Sequence, residues 1–556
     1  MNLQEDNITQ IETHQGKTKP ININRGVLQG SPLSPLLFNI ATNYILDELS
    51  EDSISKEFGY ELLQPHSKLT VMSFADDTVL IGKNIDCATE LTRMALHRYQ
   101  EIGLCINSSK SVVLSIKKGK FSTDSITISD DYKINSHVQG DSIRYLGVDF
   151  LDQLVLNKDR LLNNLRNKVD TLVKSPLLQA DQKYTVLNCS ISPALVYPFQ
   201  TIPLNKIPKN FLLTCDKILK SGLKEILQIP IDIPDHMIYS ARKHKGLGLF
   251  RAQLEASLQH INICNILQKE NNLYLNHFRN FKQECSSCLQ NLDLQFDSTF
   301  QDPRTSLLNV KKIRHHLQDR ESLRWCELPH KGRGVTLYRQ YTPANRWISD
   351  HKGLSCSEWR EAIKMTANVS AVRSLPGRSQ DGSLCRRCHR EYETLAHVLG
   401  ACPYGEVLRN SRHHRVRSMM AQALRDEGYT VYEEVPGLAN SGSNRRIDII
   451  AFKPPSKKGF ILDPTVRFET SLTQPEEIDI EKQAIYNPTV DYYKQKYNLD
   501  SIFVKGLMVG ARGTIPAFLS DFWRSFGLPK HHLQEIAVAA LRGSVALLRN
   551  HLYLTT

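Results

Sequence analysis

The chain has 556 residues, with 70 basic against 58 acidic side chains and a formal net charge of +12. Apolar residues make up 41% and charged residues 23%, an ordinary mixture for folded domains and too apolar for wholesale disorder. No stretch reaches about 18 apolar residues without a charge, which argues against a membrane span. The opening MNLQEDNITQ has neither the basic nor the apolar region of a signal peptide. That points to the cytosol or nucleus, where the twelve cysteines are expected as thiols or metal ligands. The basic excess fits a polyanion partner. At roughly 150 residues per domain, the length suggests three or four domains.

In chain order, residues 26 to 150 mix helical and strand patterns. The apolar spacing of Leu36 to Leu49 predicts a helix. Leu69 to Gly82 is an apolar run split by Asp76 and Asp77, which fits a tight hairpin between short strands. Ser111 to Ile116 and Ile143 to Phe150 predict strands. From 151 to 270 the pattern turns helical, with helices over Asn157 to Val173 and Phe211 to Leu227. Residues 271 to 380 are polar with helical pieces and read as a linker. Residues 381 to 418 are dense in Cys, His and Arg. From 419 to 556 helix and strand alternate again, after the punctuation of Pro436–Gly437 and Ser441 to Asn444.

Three constellations carry chemistry. Adjacent carboxylates such as Asp76 and Asp77 repel one another and favour a nearby cation. Magnesium, held by a few carboxylates and substrate phosphates, is the expected one. Cys385-x2-Cys388-x8-His397-x4-Cys402 offers four soft donors at a spacing that suits tetrahedral zinc. Arg386, Arg387 and Arg390 surround its first pair and favour phosphate contacts. Arg409, Arg412, His413 and Arg417 follow at helical spacing, as a basic stripe or a merely solvated face. By contrast Cys285 and Cys288 lack a properly spaced second pair and read as thiols. In the third constellation Asp448 and Asp463 sit in two strand-like runs, with Lys482 beyond. Two carboxylates and a lysine can assemble a site for metal-assisted phosphodiester hydrolysis.

Arg25 through Asn39 reads RGVLQGSPLSPLLFN, and Phe74-Ala75-Asp76-Asp77 follows it. Gly103 through Asn107, Lys110 and Arg144-Tyr145-Leu146-Gly147 come next. In this order they resemble the reverse transcriptase palm. The resemblance implies that Asp76 and Asp77 are metal carboxylates, Asp76 the more direct ligand. It sets Gln29, Gly30 and Ser31 against template and incoming nucleotide, and Lys110 near the leaving pyrophosphate. The family's palm also has an aspartate in an apolar strand several dozen residues before the QGSP loop. Here 25 residues precede Gly26, and Asp6 sits in a polar string. The expectation is therefore a partial palm without fingers or first aspartate, in the C-terminal part of a longer polyprotein.

The succession of palm, helical segment, Cys-Cys-His-Cys cluster and second acidic block resembles the site-specific non-LTR retrotransposons that carry a C-terminal restriction-like endonuclease. Ile229 to Asp232, Gly246 to Leu249 and Leu507 to Ile515 fit it too. On matched positions Asp448, Asp463 and Lys482 are catalytic, with magnesium on the two aspartates. Glu469 is a further metal or water-positioning candidate and Tyr486 a secondary one. Ile447-Asp448 stands where the family has Pro-Asp.

The implied fold is multidomain α+β. It comprises a partial palm (1–150), an α-helical thumb (151–270), a linker (271–380), a zinc knuckle (381–418) and an α/β restriction-like endonuclease (419–556). The implied function is target-primed reverse transcription in the nucleus, after synthesis in the cytoplasm. The endonuclease nicks DNA and the exposed 3′ hydroxyl primes copying of element RNA. Cofactors would be Mg2+ or Mn2+ and Zn2+. Partners would be element RNA, target DNA and deoxynucleotides, with no membrane. The competing class is a catalytically inactive nucleic-acid-binding protein. The sequence leaves the oligomeric state open.

Overall fold

In this computed structural model the described residues are 8–22, 30–63, 67–151, 155–270, 280–351, 353–375 and 382–553. Contacts divide the chain into two units, Met1–Asn157 with Asn271–Asn280 and Lys158–Glu270 with Phe281–Thr556.

In the first unit Pro35 sits in the opening turn of α1 (Ser34–Leu49), where its missing N–H costs nothing. Ile45 and Leu49 of α1 pack against Val71 and against Leu91, Ala95 and Tyr99 of a later helix, Ile85–Glu101. Between the two helices β1 (Val71–Phe74) and β2 (Asp77–Leu80) form an antiparallel hairpin that closes at Phe74 and Asp77. Ala75 turns it at φ 52°, the left-handed region. The helix Ile85–Glu101, here α2, starts on an Asn84 cap whose side chain accepts from the Cys87 N–H at 2.9 Å.

Two expectations change in this unit. The strand expected over Ser111 to Ile116 is confined to Ser115–Lys117, with an isolated bridge at Val113. The run Ile143 to Phe150 is not one strand but a hairpin, β3 (Ile143–Tyr145) and β4 (Val148–Leu151). Leu146 and Gly147 turn it with φ of 44° and 78°. Consecutive left-handed residues make a tight hairpin turn, and a single Gly inside an apolar run is a weak sign of one.

The second unit opens with α3 (Lys158–Lys174), α4 (Lys209–Leu227) and α5 (Ala252–Glu270). Asp216 on α4 accepts from the N–H groups of Ala252 and Gln253, at 2.5 and 3.3 Å, and so caps α5. Burial pushes that carboxyl up to about 6, against those two bonds.

The described part of the expected linker is packed structure instead. There α6 (Phe281–Asn291) and α7 (Val310–Cys326) close on α5 through Leu258, Ile261, Cys288, Leu289, Ile313 and Leu317. Trp325, Trp347 and Trp359 are fully buried. Charged residues crowd between the apolar ones of α7 (VKKIRHHLQDRESLRWC), which dilutes its periodicity in the sequence.

Beyond lie α8 (Leu395–Gly400), α9 (Glu406–Asp426), β5 (Thr430–Leu438), β6 (Asn444–Phe452) and β7 (Lys458–Arg467). After them come α10 (Gln474–Tyr486), α11 (Val490–Tyr497), β8 (Ser501–Gly510) and α12 (Lys530–Tyr553). The sheet order is β5-β6-β7-β8. The first three strands are antiparallel, and β8 runs parallel to β7 after a helical crossover. Ile449, Leu462 and Leu507 pack with Val416 and Met420 of α9 and Ile536 of α12. Ile447, Ile450, Ile461 and Val504 pack with Tyr493 of α11. Burial on both faces explains why these strands read as apolar runs rather than alternating ones.

Candidate active site and metal centre

The ladder between β6 and β7 runs from Phe452 opposite Gly459 to Ile449 opposite Leu462, and there it stops. The next residue on each strand is an aspartate, Asp448 and Asp463. Continued by one step, the register would set these carboxylates face to face. Pro464, which follows, has no N–H to donate. On its other side β7 stays paired with β8, Asp463 opposite Gly506.

Gly506 is where α10 comes closest. A Cβ there would lie 2.9 Å from the Lys482 Cγ and 3.0 Å from the Asp479 Cα. Asp479 fastens the helix by accepting from the Gly506 N–H at 2.9 Å and from Lys505 Nζ at 2.8 Å. One turn on, Lys482 Nζ lies 3.2 Å from Asp463 Oδ1. The Thr465 hydroxyl donates to the same oxygen at 3.0 Å, and Asp463 is only 3% exposed. A further turn along, burial and then the Asp463 carboxylate hold the Tyr486 phenol well above its ordinary range, so it stays a proton donor. Asp448 has its own neighbour, with His413 Nε2 of α9 3.2 Å from Oδ1. The structure thus brings together Asp448, Asp463, Lys482, Tyr486 and His413.

Sequence reasoning missed Glu434, for which EEVPG gives no signal. Pairing of β5 with β6 skips Glu434 and Asp448, between Glu433 opposite Ile449 and Val435 opposite Ile447. Glu434 has a left-handed φ of 54°. Its carboxylate takes Arg417, Arg446 and, at 3.5 Å, His414.

Glu469 is a correction. It lies beyond the end of β7, fully buried and away from this group. Its oxygens accept from Arg512 Nε and the Arg512 N–H, both at 3.0 Å, and from the Thr514 hydroxyl at 2.7 Å. Burial works against its charge, but Arg512 and Lys245 outweigh burial and hold it below the usual carboxylate range. Lys245 in turn donates to the carbonyls of Arg512 and Gly513, at 2.7 and 3.0 Å, and to the Thr514 hydroxyl at 2.9 Å. Both Glu469 oxygens are thus engaged within the fold rather than turned to the Asp448–Asp463 group.

Cys385, Cys388, His397 and Cys402 come together with all donor atoms within 4.8 Å of one another. Cys388 Sγ is 3.4 Å from His397 Nε2, and the sulfurs of Cys385 and Cys402 are 3.8 Å apart. Sulfurs about 2.3 Å from a central ion at tetrahedral angles lie about 3.8 Å apart, and a nitrogen about 2.0 Å from it lies closer to them, so the four fit zinc. The Thr394 hydroxyl caps α8 by accepting from the His397 N–H at 3.0 Å, which fixes where the histidine leaves the helix. Burial, with Cys385 beside it, pushes the Cys402 thiol up to about 11, a cost that a bound cation would offset.

Most of the basic residues assigned to nucleic acid also have partners inside the fold. Arg386 grips Glu393 with Nε at 2.9 Å and Nη2 at 2.7 Å. Arg387 donates to the His551 carbonyl at 2.9 Å and lies over the Tyr404 ring. Arg409 bonds the Cys402 carbonyl. Arg412 is buried on the Ser544 hydroxyl at 2.7 Å and the Leu399 carbonyl at 2.9 Å. Arg417 is buried on Glu433 and Glu434, and His413 faces Asp448. Within the helical stripe Arg412 and Arg417 face inward while Arg409 and His413 are half-buried, because periodicity does not say which way a charged face points. Arg390 is exposed.

Among the palm positions, Gln29 lies outside the described residues. Gly30 has φ 91° with open space around it. Ser31 opens the turn into α1, its carbonyl accepting from the Ser34 N–H at 3.2 Å. Asp76 and Asp77 are exposed at the tip of the β1–β2 hairpin, and Lys110 is exposed in a turn after α2. Cys288 is a buried core thiol.

Residues 3–150 match the family of reverse transcriptases (RNA-dependent DNA polymerases). The chain is 24% identical, over 519 residues, to the Pol polyprotein from the type-1 retrotransposable element R2 of Popillia japonica, covering 92% of this chain and 81% of that one. This likeness and the reverse transcriptase match together support a non-LTR retrotransposon polyprotein. It is 23% identical to the Pol polyprotein from the type-2 element R2DM of Drosophila melanogaster, over 77% of its length, and 23% identical to the R2 polyprotein of Nasonia vitripennis, over 96%. It spans 39% and 50% of those two relatives. The described residues include no helix long and apolar enough to cross a membrane.

Proposed function

We propose that the second unit nicks DNA by metal-dependent hydrolysis, and that the first unit is the partial palm of a polymerase that extends the resulting 3′ end on an element RNA template. The observation that carries the nuclease reading is the Asp463–Lys482 pair at 3.2 Å, beside Asp448 where the β6–β7 ladder ends. A bound Mg2+ or Mn2+ would polarise the scissile phosphate and supply an activated water. Asp448 and Asp463 are the hard oxygen donors that would hold it. Lys482 neutralises charge that develops on the phosphate oxygens. Tyr486 keeps its proton and donates from the same wall, and His413 orients Asp448.

In the first unit Asp76 and Asp77 are assigned the polymerase magnesium, with Gly30, Ser31 and Gln29 against template and deoxynucleotide and Lys110 near the pyrophosphate. The family match over this segment supports that assignment. One zinc per chain on Cys385, Cys388, His397 and Cys402 completes the cofactors. Element RNA and target DNA are the partners, and the nucleus is the place of action.

The test is relaxation of supercoiled DNA with magnesium, beside a gel-shift titration on the same protein. Asp463→Ala should lose nicking by about 10²–10³-fold, as removal of a dominant electrostatic group does, and keep its DNA affinity at fixed salt. Nicking at the parent rate would leave a nucleic-acid-binding protein as the better reading.

A further inference from the structure

The four-donor cluster does not stand alone. His551, on the last helix and 166 residues from Cys385, brings its Nε2 to 3.6 Å from the Cys385 sulfur. The same nitrogen lies 3.3 Å from Glu393 Oε2. Cys385, Glu393 and His551 are all buried, and their donor atoms form a second group within 4.8 Å that shares Cys385 with the first. Glu393 is tied down by Arg386 and by the N–H of Arg373 at 3.0 Å. Burial works against its charge, but His551 and Arg386 outweigh burial and keep it ionised.

We infer that the zinc centre is shared between the knuckle and the C-terminal helix. His551 shares its single Nε2–H between the Cys385 ligand and Glu393 Oε2, so that metal binding and the docking of α12 form one equilibrium. This rests on the zinc reading above. Three thiolates around one divalent ion leave an excess negative charge on sulfur. In a buried site that charge needs a hydrogen-bond donor, which outer partners of metal ligands supply. His551 is that donor and not a fifth ligand, because the four-donor set already closes a tetrahedron and Glu393 is committed to Arg386.

The rest of the contact makes α12 part of the same body. Arg387 holds the carbonyl of His551. Arg412 bonds Ser544 and fills the space beside Gly543, where a Cβ would lie 2.6 Å from its Cγ. Ile536 and Ala540 of α12 enter the core that also takes Ile449, Leu462 and Leu507 of the sheet. Loss of the metal would thus be felt along the helix that covers one face of the candidate nuclease.

The experiment uses the full chain. Zinc affinity is measured by competition with a chromogenic chelator for the parent, His551→Leu, His551→Gln and Glu393→Gln. Hydrogen exchange over 540–553 is followed in the parent with zinc bound and stripped. His551→Leu should bind zinc about 10–100-fold more weakly, the usual cost of an outer-sphere partner. His551→Gln, which keeps an N–H, should recover part of that loss, and Glu393→Gln should fall between. Exchange over 540–553 should quicken in the stripped parent, a readout that needs no variant to fold. Parent affinity in His551→Leu, or exchange in the parent that ignores zinc, overturns the coupling. A parent chain that takes up no zinc overturns the zinc reading itself, and the coupling with it.

Discussion

Asp463 and Glu469 stand six residues apart in one segment, both buried and both beside a cation, yet they do different work. Glu469 has internal donors on both oxygens: Arg512 through two nitrogens, and the Thr514 hydroxyl. Asp463 has Lys482 and Thr465 on one oxygen and the Tyr486 phenol bonded to its carboxylate, and its neighbour along the sheet is a second carboxylate, Asp448, at the point where the ladder gives out. Burial and an ion pair are common to the two and so identify neither as functional. The distinction lies in whether the fold uses up the carboxylate's bonding capacity and whether another carboxylate lies alongside it.

The largest expected effect follows from that difference. Glu469→Ala leaves Arg512 buried without its partner, and breaking such a pair costs about 3–5 kcal/mol. Urea unfolding should register a loss of that size, while Asp463→Asn, which keeps the side chain's shape beside a Lys482 that still reaches solvent, should cost less. Equal losses in the two variants would erase the distinction. Nicking should invert the order. Asp463→Asn should abolish it, and whatever fraction of Glu469→Gln folds should nick at the parent rate.

Acid sharpens the same contrast. The folded-state value of Glu469 lies below its ordinary 4.5. Its stabilisation is therefore present above about pH 4.5 and lost as pH falls through the lower folded value. The stability of the parent should drop on that acid limb, and Glu469→Gln should flatten the drop. A parallel acid limb in both proteins would remove Glu469 from the account.

How far the sequence revealed these sites depended on whether a site's residues lie close in the chain. The Cys385–Cys402 set spans 18 residues, and its spacing alone indicated tetrahedral zinc. Cys388→Ser should leave less than one zinc per chain by metal analysis. His551 joins that centre from the far end of the chain, and no local pattern connects it to Cys385. The palm motifs and the helices α3 and α4 were legible because their signals are local and strong. Asp448, Asp463 and Lys482 were legible as a pattern, but the device that joins them was not. That device is Gly506, whose missing side chain lets α10 approach β8. Glu469 misled because an aspartate and a glutamate on one strand-like run look alike until the strand ends at Arg467.

The smallest effect concerns the arginines, where a basic count overstates what nucleic acid can touch. Arg390 is exposed and Arg412 is buried between Ser544 and Leu399. A phosphate contact contributes through counterion release, so its loss lowers the slope of log affinity against log salt by about one. Arg390→Ala should change that slope by at most this amount and leave the unfolding midpoint alone. Arg412→Ala should do the reverse, lowering stability by a few kcal/mol through an emptied space and stranded polar groups while the salt slope holds. Gel-shift titrations over a salt series, run beside urea unfolding, separate the two. A slope change in Arg412→Ala without a loss of stability would mean that α9 turns its stripe outward to meet the nucleic acid, and the inward assignment of Arg412 and Arg417 would fall together.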